Sequence, residues 1–517
     1  MNGDAVRAAA AGNTRCGYSR PLVALCRRWV GRWFRSGVVR RRYRSAVPRS
    51  DSQPTNRSAA VAAEMRQAAG TLLSALSGII GQLRTIIAHL WSTFALMLRR
   101  LPLICWLLAA ALLLLRLGLL WHNNPGLEWN WDEVRNARIA DHWLQGRGYV
   151  SYDAVRRQLR PDAFHASFPV WVYAAWFKLG LPRHYFTAAV YLLTALGGLV
   201  TGLYAARTLR WYGLRPRPAA VGALLLMLYP SVLWYVGAWF WYENLCLPVL
   251  VWVTYQLLRL YGGRPMPLGK ALLLAVLVVL SCLLRGYLLA VYGLLFAYLL
   301  ALSRRSGPTA RAPTWRPALL TLLLTLALHV PVLLKNHRLF GAYILSTQPG
   351  FELLQGNNPF TRGRFMFDWD ESDKPFGAWV QEQRPDLAAL NQYEESRARA
   401  ALARRWVAAH PADALGLLGR KLLAFFSPEN FVANDYHTRY HPVTAAVHLA
   451  FLLSLLATAL RWRGLRFRAP DGLLLLPVLV VLGLSLVFFV GYRWRLFAEP
   501  AFVLFPLITW QRLRRPA

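Results

Sequence analysis

Long apolar runs separated by short basic loops set the pattern of this chain. Ten runs read as membrane spans: 101–121, 185–206, 219–236, 245–261, the two arms of a hairpin over 271–303, 318–334, 443–460, 473–490 and 496–510. Most approach the roughly 20 apolar residues that cross a bilayer; the hairpin arms, with Arg285-Gly286 at their turn, are short. The run 168–181 is also short and carries Pro169 and Lys178, which predicts a juxtamembrane or re-entrant helix. The basic residues cluster at Arg99-Arg100 and in 207–217, 264–270, 304–316, 461–468 and 512–515. Placing every one of these loops on the cytoplasmic side violates no charge rule, so both termini face the cytoplasm. The fold class predicted is an all-α polytopic membrane protein with about 10–11 transmembrane helices and juxtamembrane helices on the outer side.

Composition agrees, with 56% hydrophobic residues and a mean hydropathy of +0.30. The net charge of +36, from 60 Lys+Arg against 24 Asp+Glu, would suit nucleic acid if it lay on one face. It lies in inter-span loops instead, so the partners expected are membrane lipids and no nucleic acid. Cys16, Cys26, Cys105, Cys246 and Cys282 form no CxxC pair, which argues against a zinc site or a disulfide framework. Residues 1–65 are Arg-rich and read as a disordered cytoplasmic tail, although a transit peptide shares the bias. Residues 66–100 read as an amphipathic interfacial helix. The region 101–511 forms the membrane domain, with a first outer loop at 122–183, a long outer loop at 335–442 and a tail at 512–517.

The informative polar residues all fall on the outer side. Asp132-Glu133, beside Trp129 and Trp131, has two readings: a base that takes a proton from an acceptor hydroxyl, or a first-turn acidic pair that favours the helix dipole. Glu243 heads a span within Trp239-Phe240-Trp241-Tyr242-Glu243-Asn244; it is either functional or part of an interfacial aromatic belt. Arg285, at the tip of the short hairpin, needs an anion, either a lipid phosphate or a structural carboxylate. Arg493 and Arg495 are basic residues on the outer side, functional or snorkelling. The turn-forming segment Lys335-Asn336 through Gly356-Asn357-Asn358-Pro359 suits a sugar- or phosphate-binding loop, a composition that any long loop shares. Asp368, Asp370, Glu371 and Asp373 lack the glycine of a calcium loop and read as a solvated turn.

Taken in order, these motifs resemble the GT-C glycosyltransferases of the protein O-mannosyltransferase and aminoarabinose transferase type. Asp132-Glu133 is similar to that family's acidic pair, and His165-Ala166-Ser167-Phe168-Pro169 to its His-Pro-Pro juxtamembrane helix. Glu243, the Lys335-to-Pro359 segment and Arg493…Arg495…Pro500 complete the likeness over about 101–511. The resemblance implies inverting transfer of a sugar from a polyprenyl-phosphate donor to a lipid, glycan or protein acceptor. Asp132 would be the base and Glu133 would position the hydroxyl. Arg285, Lys335, Arg493 and Arg495 would bind the carrier phosphate. His165, Asn336, Asn357, Asn358 and Tyr492 would bind sugar or acceptor, and no cofactor or metal is required. A bacterial inner-membrane location with a periplasm-facing site is expected. The chain departs from the family in having a single proline at the juxtamembrane motif. The alternatives are a flippase or transporter of a lipid-linked sugar, or a surface-polysaccharide polymerase or ligase. Transport predicts polar residues in paired broken helices, whereas the span centres here are nearly all Leu, Val and Ala.

Overall fold

In the computed structural model, the structure describes residues 103–123, 126, 131–153, 157–165, 167–233, 242–305, 315–363, 374–431 and 438–514. The expected tail and amphipathic helix before residue 101, the Trp239–Trp241 belt and the 368–373 acidic cluster lie outside these residues.

Each apolar run is largely helical over its described residues; residues 488–490 and 496–498 fall between helices. In chain order the helices are α1 (Leu103–Asn123), α2 (Trp131–Leu144), α3 (Phe168–Lys178), α4 (Arg183–Trp211), α5 (Pro216–Leu228), α6 (Glu243–Tyr261), α7 (Leu268–Leu284), α8 (Leu288–Arg305) and α9 (Trp315–Phe340). They continue as α10 (Gln348–Gly356), α11 (Lys374–Gln383), α12 (Gln392–Ala409), α13 (Pro411–Phe426), α14 (Pro442–Ala459), α15 (Ala469–Val487), α16 (Tyr492–Arg495) and α17 (Glu499–Leu513). Among the described residues, four helices are long and apolar enough to cross a membrane: α4, α9, α14 and α15. The apolar stretches of α1, α5, α7 and α8 are shorter. Arg285 and Gly286 form the turn between α7 and α8, as the pattern predicts.

α4 packs along α5 and α6, α7 along α9, α8 along α15, and α14 along α17. Their buried faces merge into one core that includes Leu250, Leu257, Val278, Leu295, Phe451, Val481 and Phe502. At one end of this bundle α2 lies against α3. Pro169 in the first turn of α3 fits there because that turn has no intrahelical acceptor for a missing N–H. With 11 residues, α3 is too short to span, in keeping with the juxtamembrane prediction. A hairpin of β1 (Val150–Asp153) and β2 (Gln158–Pro161) joins the two helices.

The long segment after α9 differs from the expectation of a turn-rich binding loop. Lys335 to Arg338 form the last turns of α9, and 348–356 is the helix α10. α10 packs on α12, which opens with a capping box in which Asn391 and Glu394 satisfy each other's backbone N–H. A small second core of Leu354, Phe376, Val380, Leu402 and Ala403 holds this helical cap together.

Candidate functional site

The site is assembled from helix ends at one end of the bundle. Asp132 and Glu133 occupy the first turn of α2, where exposed backbone N–H groups favour carboxylates, so the dipole reading and the chemical reading both hold. Their neighbours separate them. Glu133 is only 1% exposed and lies against the phenols of Tyr173 and Tyr242. Both phenols are held well above their ordinary range, by burial first and by nearby negative charge second. Asp132 keeps 27% of its side chain accessible and faces three basic groups. Its carboxylate lies 3.5 Å from His165 Nε2, 4.0 Å from Arg285 Nη2 and 4.0 Å from Arg493 Nη1.

Glu243, fully buried at the start of α6, fixes Arg285. It meets the guanidinium along one edge, at 2.8 Å to Nε and 3.2 Å to Nη2. The Arg285 guanidinium also lies 5.1 Å over the ring of Tyr242, whose hydroxyl accepts a hydrogen bond from Asn136 at 2.9 Å. Arg285 thus has the structural carboxylate that is one of its two predicted partners. Its Nη2, which bonds Glu243, also lies 4.0 Å from Asp132 Oδ2.

His165 is placed by Asp162, which is 1% exposed. Asp162 binds Arg135 at 2.7–2.8 Å and accepts from the Phe164 N–H at 2.8 Å. The neighbouring Ala163 is clamped between the Thr347 N–H and the Gln392 side chain. The segment 162–165 is therefore rigid where it meets Asp132.

Burial alone would raise the Asp132 carboxyl; His165, Arg285, Arg493 and Arg135 together overcome it and hold the group below the ordinary carboxylate range. Burial also holds the His165 imidazole down at about 4 despite the pull of Asp132. Histidine is therefore neutral near pH 7, and the field that keeps Asp132 ionised there comes from the guanidinium groups.

Other predicted residues fall elsewhere. Lys335 donates to Ser167 at 2.8 Å, and its Nζ lies 3.6 Å from the Tyr149 ring centroid. It supports the β-hairpin and α3, and the structure does not bring it to Asp132. Asn336 donates to the Ile344 and Leu345 carbonyls. Asn357 donates to the Leu353 and Val487 carbonyls and accepts from Lys421, while Asn358 donates to Leu354 and Gln355. The two asparagine amides thus satisfy carbonyls orphaned at the C-terminus of α10. Gly356 is a close approach, since a Cβ there would collide with the Phe488 carbonyl. The expected sugar-binding composition is in this structure a helix terminus sewn to α15. Arg495 is completely buried and bonds Glu499 at 3.2 Å and the Phe425 and Ser427 carbonyls at 3.3 and 2.7 Å. Its neighbour Arg493 is the one that reaches the site. The side chain of Tyr492 lies outside the described residues.

Sequence reasoning missed Asp162, Arg135, Asn136 and Tyr242. Among the described residues, no cluster of three or more His, Cys, Asp or Glu side chains is arranged to hold a metal ion.

Neither a protein-family profile nor a curated protein matches the chain. Solved structures similar to it include two membrane proteins. One is the archaeal oligosaccharyltransferase AglB from Archaeoglobus fulgidus, in complex with an inhibitory peptide and a dolichol-phosphate, at 13% identity and a TM-score of 0.40 over 77% of this chain and 49% of that one. The other is ArnT from Cupriavidus metallidurans bound to undecaprenyl phosphate, at 16% identity and a TM-score of 0.33 over 79% of this chain and 78% of that one. The chain thus spans about half the length of the oligosaccharyltransferase. At these scores the chemistry has to be read from this chain's own side chains.

Proposed function

We propose that this protein is a membrane glycosyltransferase that moves a sugar from a polyprenyl-phosphate donor to an acceptor hydroxyl, with Asp132 as the base. The observation that supports it is a part-exposed carboxylate held ionised beside two guanidinium groups at one end of a helix bundle. The reaction needs both elements. The acceptor oxygen attacks the anomeric carbon as its proton passes to Asp132. The bond from that carbon to the phosphate oxygen breaks, and its electron pair leaves on the carrier phosphate. Arg493 and Arg285 are placed to stabilise that phosphate, and attack opposite to departure inverts the anomeric centre.

A carboxyl held low by cations is a weak base in the empty site. Donor binding alters this, because a phosphate at Arg493 and Arg285 neutralises the field that depresses Asp132. Its proton affinity rises only when the substrate is in place. The positions of the basic loops in the sequence support a non-cytoplasmic location for this end of the bundle.

The test is sugar transfer by purified protein from polyprenyl-phosphate-linked donors, read by mass spectrometry of donor and acceptor. Asp132→Asn should lower the rate by about 10²–10⁴-fold while the protein still inserts and folds. Wild-type turnover by this variant overturns the assignment of the base.

A further inference from the structure

Two further arginines stand together where α13 meets the turn after α10, on a rigid frame. Lys421, completely buried on the inner face of α13, donates to the Asn357 side chain at 3.1 Å and to the Leu486 carbonyl at 3.0 Å. Gly363, at a φ of +86° that favours glycine, packs on the same lysine so closely that a Cβ there would lie 3.0 Å from its Cγ. The Gly363 carbonyl accepts from the Val490 N–H at 2.9 Å, and Asn358 accepts from the Thr361 N–H at 2.9 Å. Arg362 and Arg420, the residues that precede Gly363 and Lys421, are held beside one another by this contact, and both are exposed.

Together with Leu423, Ala424 and Ser427 they line an open cleft of about 470 Å³. Ligand clefts run from roughly 300 to 1,000 Å³, so a charged headgroup fits. Among the described residues no carboxylate lines it. The Phe425 and Ser427 carbonyls at the end of α13 accept from Arg495, which ties the cleft's inner edge to the bundle. The outer face of the same helix is apolar. Leu415, Leu418 and Leu422 follow at helical spacing opposite the buried Leu417 and Lys421, with Leu423 beside them, and Leu415 and Leu423 are 71% and 75% exposed. α13 packs on the last turn of the apolar helix α15, where Val487 is also exposed. An exposed leucine face flanked by arginine is the pattern of a helix lying in the membrane interface, with its guanidinium at headgroup level.

We propose that the cleft between Arg362 and Arg420 holds the phosphate of an anionic phospholipid of the surrounding bilayer, with its acyl chains over the exposed leucines of α13. Two guanidinium groups on fixed backbones match the oxygens of a phosphodiester. With no lining carboxylate, the ammonium of a zwitterionic headgroup finds no partner there, so a net negative headgroup is preferred. The adjoining leucine face favours a lipid over a free anion. None of Asp132, Arg285 and Arg493 lines the cleft, so the lipid it takes is a bound constituent of the membrane and not the sugar donor.

Native mass spectrometry of the detergent-purified protein, titrated with phosphatidylglycerol or with phosphatidylcholine of the same acyl chains, tests this. Wild type should prefer phosphatidylglycerol by about tenfold, the scale of charge-assisted hydrogen bonds to one phosphate. Arg362→Gln with Arg420→Gln should abolish that preference and leave phosphatidylcholine binding unchanged. Leu415→Gln with Leu422→Gln should weaken both lipids alike. Both arginines are exposed, so the double variant should unfold at the wild-type midpoint. If it fails to fold, Arg420→Gln alone is measured and should reduce the preference. A wild-type preference retained in these arginine variants overturns the site. A preference that disappears in Arg493→Ala instead moves the lipid to the Asp132 pocket and overturns it too. Inorganic phosphate that competes as well as the phospholipid does makes the cleft a free-anion site and overturns the lipid.

Discussion

Arg493 and Arg495 stand two residues apart on α16, and their surroundings differ in kind. Arg495 is fully buried and hydrogen-bonded to Glu499 and to two backbone carbonyls at 2.7–3.3 Å. Arg493 keeps 24% of its side chain accessible and lies 4.0 Å from Asp132. The first is a closed network, in which the charge is compensated by a partner at hydrogen-bond distance. The second lies 4.0 Å from the Asp132 carboxylate and is part-exposed, in a position that an incoming ligand can reach. A basic residue at this end of the helix bundle is thus not informative by itself; the distance and exposure of its partner decide what it does.

This contrast breaks first at Arg495. Arg495→Ala leaves Glu499 buried without its counter-charge, which should cost about 3–5 kcal/mol of stability. Thermal unfolding in detergent checks this, and Arg495→Met with Glu499→Leu should recover much of the loss by removing both charges. Arg493→Ala should behave in the opposite way. Its unfolding midpoint should match wild type, while affinity for a polyprenyl phosphate falls by about 10–100-fold, the scale of a charge-assisted hydrogen bond lost from a part-buried site. A destabilised Arg493→Ala protein with normal lipid binding would erase the distinction.

The open site also makes a prediction about pH. The folded-state pKa of Asp132 is depressed, so its stabilising contribution is present above the ordinary carboxylate range and is lost as pH falls through the depressed value. In the free protein the acid limb of kcat/KM therefore lies below that ordinary range. Once a phosphate neutralises Arg493 and Arg285, the carboxyl rises. The acid limb of kcat should then sit at higher pH than that of kcat/KM. Coincident limbs would mean that the donor does not occupy the cations facing Asp132.

Much of this architecture is legible from apolar run length. Among the described residues the ten predicted runs are largely helical, and the short runs at 168–181 and 271–303 form a short helix beside α2 and a hairpin turning at Arg285. The meeting of Asp132, Glu243, Arg285 and Arg493 follows once the charge rule puts them at one end. What is not legible depends on which helix face a residue occupies. Asn357 and Asn358 have the composition of a ligand loop, but the amides are consumed by carbonyls at the end of α10. Lys335 is on a face turned toward Ser167 and Tyr149. The helix α10 itself escapes notice because its segment has the composition of a loop. A proline in the first turn with Leu353-Leu354 one turn later is the available signal for that helix.

The smallest effect separates Asp132 from the histidine beside it. His165 Nε2 is 3.5 Å from the carboxylate, a geometry that suggests a proton relay. The charges point the other way. Burial keeps the ring neutral down to about pH 4, so across the working range it neither charges nor discharges and serves to orient the carboxylate. A neutral amide of similar reach can do the same. His165→Gln should therefore lower transfer by less than about tenfold, equivalent to no more than about 1.4 kcal/mol, and leave the shape of the pH–rate profile above pH 5 unchanged. A drop matching that of Asp132→Asn, or a new limb between pH 5 and 7, would make His165 a proton carrier and move the chemistry from one carboxylate to a pair.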